Sequence, residues 1–231
     1  MQARFSLLNK YIQHLGFEGA SYTVVPDFVL NNTFKKGPIF LVSDEFPYSF
    51  IDQYSTDRFD KIDFTISRIK ANQFSTMDWK LYRNSTLLSD AEKNVLHIAE
   101  QDHGIINALS IPTMAGIKGV SGVSVISKDN DHSFGLLKKE RQATLEAIID
   151  VFHKNNLGFE DYFVKSFLSE FSDKEILILK HLASGRLMKN IKHETGISVS
   201  YAANILSDLR KKLGNATVNK IMYEIDYRYF D

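Results

Sequence analysis

Apolar residues in the first two thirds of the chain recur at helical spacing in some segments and form short continuous runs in others. Helical spacing predicts helices over residues 5–15, about 49–69, 90–104 and 140–155, the third opened by a capping box of Ser89 and Glu92. Apolar runs bordered by Pro or Gly predict strands over residues 21–25, 39–42, 109–111 and 122–126. This order predicts an α+β fold for residues 1–160, an α/β/α sandwich with a central antiparallel sheet.

The last third of the chain shows four helical segments in close succession. A second capping box, Ser172 with Glu175, opens the first, in which Ile176, Leu179 and Leu182 are expected to face the core. The predicted helices cover residues 173–185, 186–195, 199–213 and 217–229. The second and third are joined by a two-residue turn, Gly196-Ile197, as a helix-turn-helix requires. We therefore expect an all-α four-helix helix-turn-helix domain over residues 171–231, after a linker at residues 161–170.

The outward side of the predicted third helix carries residues suited to DNA. The side chains expected to contact DNA are Ser198, Ser200, Tyr201, Ala203, Asn204, Ser207, Arg210 and Lys211. Asn can read adenine through two hydrogen bonds, whereas Ser, Lys and Arg mostly hold phosphates. The alternative is a purely structural four-helix bundle in which the basic run at residues 210–212 is only solvated.

Composition and charge are compatible with two dissimilar domains. The 231 residues are 44% hydrophobic and 24% charged, as in ordinary globular proteins, and the formal net charge is zero. Residues 171–220 nevertheless hold nine Lys or Arg against four Asp or Glu, a charge of +5, which leaves −5 on the rest of the chain. A basic module attached to an acidic one suits a DNA-binding regulator.

Several kinds of chemistry are not expected. No cysteine is present, which excludes disulfides, thiolate zinc sites and cysteine nucleophiles and fits a reducing cytoplasm. The first residues lack the apolar core of a signal peptide, and no apolar run is long enough to cross a bilayer. His97 and His103 are expected on different sides of one helix, so a shared metal is not expected. Gly116, Gly119 and Gly122 are interpreted as a turn beside a strand, without the Lys-Ser/Thr of a phosphate loop. We therefore expect a cytoplasmic protein with no membrane partner, metal, cofactor or enzymatic activity.

Residues 171–214 resemble the DNA-binding domain of LuxR-type regulators. The segments that carry the resemblance are Phe171-Ser172-Asp173-Lys174-Glu175, Leu179, Leu182-Ala183-Ser184-Gly185, Ile191, Gly196-Ile197-Ser198 and Arg210-Lys211-Lys212-Leu213-Gly214. Departures from the family pattern occur at Asn190, Lys192, Tyr201, Ala202 and Ile205. They leave the fold intact, but a shared operator sequence is not expected. The resemblance implies a transcription regulator that binds promoter DNA.

Much of the rest is similar to the acyl-homoserine-lactone sensor domain of LuxR-type quorum-sensing receptors. The similar segments are residues 46–54, Phe59, residues 62–64, 74–79 and 104–112. The resemblance implies a ligand-binding site at Phe46, Phe50, Tyr54, Asp63, Trp79 and Ala108, the last in place of a family Gly. In the family the Asp accepts the signal's amide N–H, while a Tyr and a Trp donate to its two carbonyls. Here those two donor positions hold Phe46 and Phe50, which cannot donate.

These substitutions lead to an expectation about the ligand. A buried carbonyl without a donor costs about 1–3 kcal/mol, so the signal is expected to be a small molecule other than an ordinary acyl-homoserine lactone. One carboxylate among aromatic walls favours a ligand with an N–H or O–H and a flat or apolar body. Two alternatives stay open from the residues alone. The aromatic side chains could be plain core residues, and Asp63 could be a solvated turn residue instead of a buried acceptor.

The sequence therefore predicts a DNA-binding regulator with a small-molecule sensor domain. A homodimer is expected because helix-turn-helix proteins usually read paired half-sites, with contacts from residues 140–155, 217–229 or both. One alternative is a regulator of the same fold that acts without ligand or through a protein partner. The other is an enzyme with a DNA-binding appendage.

Overall fold

The structure is a computed structural model that describes residues 2–26, 37–116, 119–155 and 168–225. The chain divides into two compact units. The described part of the first unit ends at residue 155, and that of the second begins at residue 168. Residues 161–167 of the predicted linker and 226–229 of the predicted last helix lie outside the described residues.

A five-stranded sheet lies in the middle of the first unit, with the strand order β2-β1-β5-β4-β3 and only antiparallel neighbours. The strands are β1 Gly19–Val25, β2 Ile39–Val42, β3 Met77–Asp78, β4 Asn107–Gly116 and β5 Gly119–Ser127. The four predicted strands and the α+β class are confirmed. Strand β3 was not predicted, because two residues are too few to show an alternating pattern.

Helices cover both faces of this sheet. They are α1 Gln2–His14, α2 Tyr48–Thr56, α3 Phe64–Lys70, α4 Trp79–Arg83, α5 Asp90–Gln101 and α6 Asp131–Asn155. Helices α1 and α6 cover the face that carries Tyr22, whose ring lies 5.4 Å from that of Phe152 on α6. Helices α2 to α5 build the core on the opposite face. Within the described ranges, no helix is both long enough and apolar enough to cross a membrane.

Local signals set most helix ends, and two differences from the predicted helices have physical reasons. The capping box of Ser89 and Glu92 is present at the start of α5. The helices predicted over about 49–69 are α2 and α3, separated by Arg58 at φ +55° and a short 3-10 turn. Helix α6 begins nine residues before the predicted start, because the Asn130 side chain accepts from the backbone N–H of Ser133 and caps it. Helix α4 was not predicted and is only one turn and a half long.

The interpretation of Gly122 as part of a turn was wrong, whereas its place in the strand predicted over residues 122–126 is confirmed. It lies inside β5, directly opposite Pro112 of β4, and not in a turn beside the strand. A Cβ at this position would lie 3.0 Å from the carbonyl oxygen of Ile111. The glycine therefore permits a close approach of two strand backbones.

The second unit contains four α-helices in its described part. They are α7 Asp173–Ala183, α8 Ile191–Thr195, α9 Val199–Lys212 and α10 Val218–Ile225. The capping box of Ser172 and Glu175 opens α7, and Gly196 ends α8 at φ +75°. The second predicted helix starts later than residue 186, since residues 188–190 form a 3-10 turn before α8. Helix α9 is capped by Ser198, as predicted.

The core of the second unit differs in part from the predicted one. Leu179 is buried as expected, but Ile176 and Leu182 are only half-buried. Ile178 is fully buried in their place, together with His181 on the next turn. Side chains of the other three helices complete this core: Ile191, Ala202, Leu209 and Ile221.

Candidate functional site

A small cavity lies between one face of the sheet and helices α2, α3 and α4. Its volume is about 50 Å³. A single water needs about 10–15 Å³ by the same measure, so the cavity holds a few waters. Pockets for drug-sized ligands are about 300–1,000 Å³. A signal molecule of that size therefore requires side chains around the cavity to move.

Aromatic rings form the helix side of the cavity. Phe46, Phe50 and Tyr54 follow one another at four-residue intervals, which places them along one side of α2 and the turn before it. The ring centroid of Phe50 lies 5.8 Å from that of Tyr54 and 6.1 Å from that of Trp79. The first pair is edge-to-face and the second tilted, both favourable arrangements for aromatic rings. All four side chains are buried.

Asp63 sits at the edge of this aromatic wall as the N-terminal cap of α3. One carboxylate oxygen accepts from the Thr65 backbone N–H and from the Thr65 hydroxyl, both at 2.7 Å. The other accepts from the Tyr54 hydroxyl at 2.6 Å. Burial raises the pKa of Asp63, although the hydrogen bonds from Tyr54 and Thr65 oppose that shift. Burial and the nearby Asp63 charge raise the pKa of Tyr54 well above its usual value.

These contacts decide between the two interpretations of Asp63. It is a partly buried acceptor and not a solvated turn residue, since its carboxylate holds the start of α3 and the tip of Tyr54. The three hydrogen bonds come from the protein itself. A ligand N–H that reaches this carboxylate therefore competes with Tyr54 and Thr65.

The sheet side of the cavity is a row of hydroxyl groups. Ser21, Ser124 and Ser110 lie directly opposite one another on β1, β5 and β4, so they share one face. The Trp79 ring N–H donates to the Ser110 hydroxyl at 2.8 Å, which in turn lies 2.8 Å from the Ser124 hydroxyl. Thr23 adds a further hydroxyl two residues along β1. This row supplies the polar side of the cavity.

Sequence reasoning missed this row. Each serine is unremarkable within its own strand, and only the strand register brings the three together. The available signal was the hydroxyl residue at alternate positions of β1, Ser21 and Thr23, within an otherwise apolar run.

The structure brings together five of the six predicted ligand-binding residues. Phe46, Phe50, Tyr54, Asp63 and Trp79 all line the cavity. The sixth, Ala108, is fully buried in β4 and packs in the same core without lining the cavity. The two Phe rings cannot donate a hydrogen bond. Among the described lining residues, the side-chain donors are the hydroxyls of the sheet side, the Trp79 ring N–H, and the hydroxyls of Tyr54 and Thr65 beside Asp63.

The predicted DNA-binding residues lie on α9 and at its start. All eight are exposed: Ser198, Ser200, Tyr201, Ala203, Asn204, Ser207, Arg210 and Lys211. Several of them also have structural contacts: Ser198 caps α9, and the Lys211 ammonium lies 3.1 Å from the Asp208 carboxylate. The Arg210 Nε donates to the Ala216 carbonyl at 3.0 Å, and the Lys174 ammonium lies 5.2 Å from the centre of the Tyr201 ring.

His103, one of the two histidines considered for a metal, has hydrogen-bond partners on both ring nitrogens. The two ring nitrogens of His103 each lie 2.8 Å from a side-chain oxygen, that of Ser49 and that of Gln53. Among the residues that the structure describes, no three His, Cys, Asp or Glu side chains are grouped so that they could hold a metal.

Comparison with known proteins agrees with the fold and points to one family. Residues 1–155 match the sequence model of the autoinducer binding domain. No curated protein sequence matches the chain significantly.

Solved structures give further likenesses. Escherichia coli SdiA is similar with a TM-score of 0.50 and 18% identity, over 98% of this chain and 87% of that one. SdiA in complex with octanoyl-rac-glycerol gives a TM-score of 0.45 and 14% identity, over 99% and 87% of the two chains. CepR2 from Burkholderia cenocepacia is an N-acylhomoserine lactone dependent LuxR family transcription factor. Its TM-score is 0.49 at 16% identity, over 65% of this chain and 80% of that one. At these identities the likeness to the first concerns the fold alone.

Proposed function

Because this chain belongs to the autoinducer-binding-domain family, we propose that it is a cytoplasmic transcription regulator that responds to a small signal molecule. Residues 1–160 form the sensor domain, residues 161–170 the linker, and residues 171–231 the DNA-binding domain. The observation that carries the sensor assignment is the cavity beneath α2 to α4, where a row of serines lies opposite aromatic rings and Asp63 lies at the edge of those rings.

The lining favours a signal other than an ordinary acyl-homoserine lactone. Phe46 and Phe50 present only carbon to the cavity, so ligand carbonyls that point toward α2 find no donor there. Ligand groups that point toward the sheet meet hydroxyls, which both donate and accept. A ligand with an apolar body and a compact hydroxyl, amide or amine head matches this division.

The helix-turn-helix assignment rests on the geometry of α8 and α9. Gly196 lets the chain leave α8 in a left-handed conformation, and Ser198 caps α9 two residues later. The start of α9 is exposed and carries Asn204, an adenine-reading side chain, while Lys211 lies near its end. We propose that α9 lies in the major groove with its first turns.

A mobility-shift assay on promoter fragments tests the DNA-binding function. Asn204→Ala should weaken specific binding more than non-specific binding, because the lost contact is to a base edge. Lys211→Ala should weaken both and flatten the salt dependence by about one unit, as loss of one phosphate contact does. The matched control is Asn94→Ala, since Asn94 is exposed on α5 of the first unit. Wild-type binding by a folded Asn204/Lys211 double variant would rule out this docking.

We also propose a homodimer in which the outer face of the first unit takes part. Leu145, Ile149 and Phe152 of α6 are buried in the core, so these three side chains are not available for contacts between subunits. The apolar surface next to them is formed instead by Leu7 and Val151, which are 53% and 56% exposed on α1 and α6. Apolar surface of this kind is typical of interfaces between subunits.

A further inference from the structure

The polar side chains around the cavity are satisfied by one another. The lining residues that have a hydrogen-bond partner within the first unit are Ser21, Thr23, Tyr54, Asp63, Thr65, Trp79, Ser110, Ser121 and Ser124. In the described part of the chain, the buried side-chain atoms without a hydrogen-bond partner are Asn9 Oδ1, Glu18 Oε2 and His181 Nδ1. None of these three residues lines the cavity.

The apolar side of the cavity is also nearly complete. Phe46 and Phe50 are 2% and 3% exposed, and the Phe50 ring packs edge-to-face with Tyr54 and tilted against Trp79. About 50 Å³ of free volume remains. A domain that needs a ligand as part of its core would present a larger hole or polar groups without partners, because both destabilise the empty fold.

We infer that this sensor domain completes its own core and folds without a signal molecule, so that the signal acts on a protein that is already folded. This inference rests on the proposed function, since it concerns how the proposed sensor site is regulated. Signal binding is then an opening reaction. Side chains that line the cavity must move before a molecule larger than a few waters fits, and the Phe50 ring between Tyr54 and Trp79 is one that fills this space.

For regulation, the inference means that the signal changes the populations of a closed and an open conformation of the sensor domain. A ligand shifts an equilibrium only by the difference in its affinity for the two conformations. The closed form is the ground state here, and the affinity that is observed is reduced by the cost of opening. The protein is therefore expected to be abundant and structured without signal, with the signal changing its DNA binding.

Native mass spectrometry and refolding test this inference together. The full chain is produced in minimal medium without added lactone, unfolded in urea, passed through a desalting column and refolded by dilution. We expect the mass of the bare chain, a cooperative thermal transition, and the same near-ultraviolet circular dichroism before and after refolding.

Two outcomes would overturn the inference. One is aggregation or loss of the thermal transition in the ligand-free refolded sample. The other is a stoichiometric organic molecule in the native spectrum of the protein before unfolding. Failure of the proposed function gives a different result. The chain would fold without a ligand but bind no promoter DNA, with or without a panel of small amphiphiles. That result would contradict the regulator assignment and would not contradict the folding inference.

A pair of variants adds a control for general core damage. Phe50→Ala removes a ring that fills the cavity, whereas Phe152→Ala removes a buried ring on the opposite face of the sheet. Both should lower the midpoint of thermal unfolding. Only Phe50→Ala should enlarge the cavity and bind a small apolar probe such as benzene there, detected by a change in Trp79 fluorescence. Equal responses of the two variants to benzene would count against Phe50 as the residue that closes the cavity.

Discussion

Removal of the Asp63 carboxylate is the sharpest perturbation of the site. In Asp63→Ala the start of α3 loses its cap, a loss of about 0.5–2 kcal/mol in helices generally. The Tyr54 hydroxyl loses its acceptor while its ring stays buried, at about 1–3 kcal/mol for a buried unsatisfied group. The free energy of unfolding should therefore fall by about 1.5–5 kcal/mol. Any native response to signal should be lost as well, because the ligand's donor has no acceptor.

A double-mutant cycle isolates the Tyr54–Asp63 contact. Tyr54→Phe keeps the ring and removes the hydroxyl, and we expect a loss of about 1–2 kcal/mol. The double variant should be more stable than the sum of the single losses predicts, by about 1–2 kcal/mol, since the contact can be lost only once. Asp63→Asn is the conservative control, because Asn can still cap α3 and should cost under about 1 kcal/mol.

Urea unfolding followed by fluorescence measures these values, since Trp79 is the only tryptophan in the chain and lines the cavity. Losses that simply add, within about 0.3–0.5 kcal/mol, would refute the coupling between the two side chains. A loss below about 0.5 kcal/mol for Asp63→Ala, the size typical of surface changes, would show that the carboxylate faces solvent.

Three further predictions concern pH, assembly and ligand. Arg58 and Lys61 keep the pKa of Asp60 below 3.8 although burial acts to raise it, so Asp60→Asn should destabilise the protein at neutral pH and the deficit should shrink as pH falls below 3.8. Asp63, whose pKa is raised by burial, should show the opposite sign. As pH falls from neutral toward 3.8, the free energy of unfolding of wild type should rise relative to that of Asp63→Asn. Urea titrations at each pH decide both, and parallel curves would contradict them. Val151→Glu should convert the dimer to monomers in light scattering. Leu81→Glu should not, because Leu81 is also an exposed apolar residue but lies away from the surface of Leu7 and Val151. A wild type that is monomeric both free and on DNA would contradict the proposed homodimer. Calorimetry should show weak binding of simple acyl-homoserine lactones by wild type and some recovery in Phe50→Trp, which restores a ring N–H; submicromolar wild-type binding would prove the donors unnecessary.

Much of the fold was readable from local sequence signals. The capping boxes at Ser89 and Ser172 fixed two helix starts, and Gly196 fixed the end of α8, because each acts within one turn of the backbone. Apolar runs located four strands for the same reason. The Asn130 cap of α6 is an equally local signal that was overlooked, and the start of that helix was consequently predicted nine residues late.

The site depended on more distant relations. Resemblance brought Phe46, Phe50, Tyr54, Asp63 and Trp79 together, and the structure agrees that they line one cavity. What the residues alone left open was the state of Asp63, since its partner Tyr54 is nine residues away across the turn at Arg58.

The sequence by itself determined the class of the fold, most of its helices and strands, and the residue types available to a binding site. Tertiary structure decided which of those residues meet. Ser21, Ser110 and Ser124 form a row only because the register of β1, β5 and β4 aligns them, and Ala108 is left out of the lining although it lies in the same strand as Ser110. Strand register is set by pairing between segments about 15 to 100 residues apart. Shifting a strand by one residue moves each side chain to the other face, so no pattern within a single strand can report it.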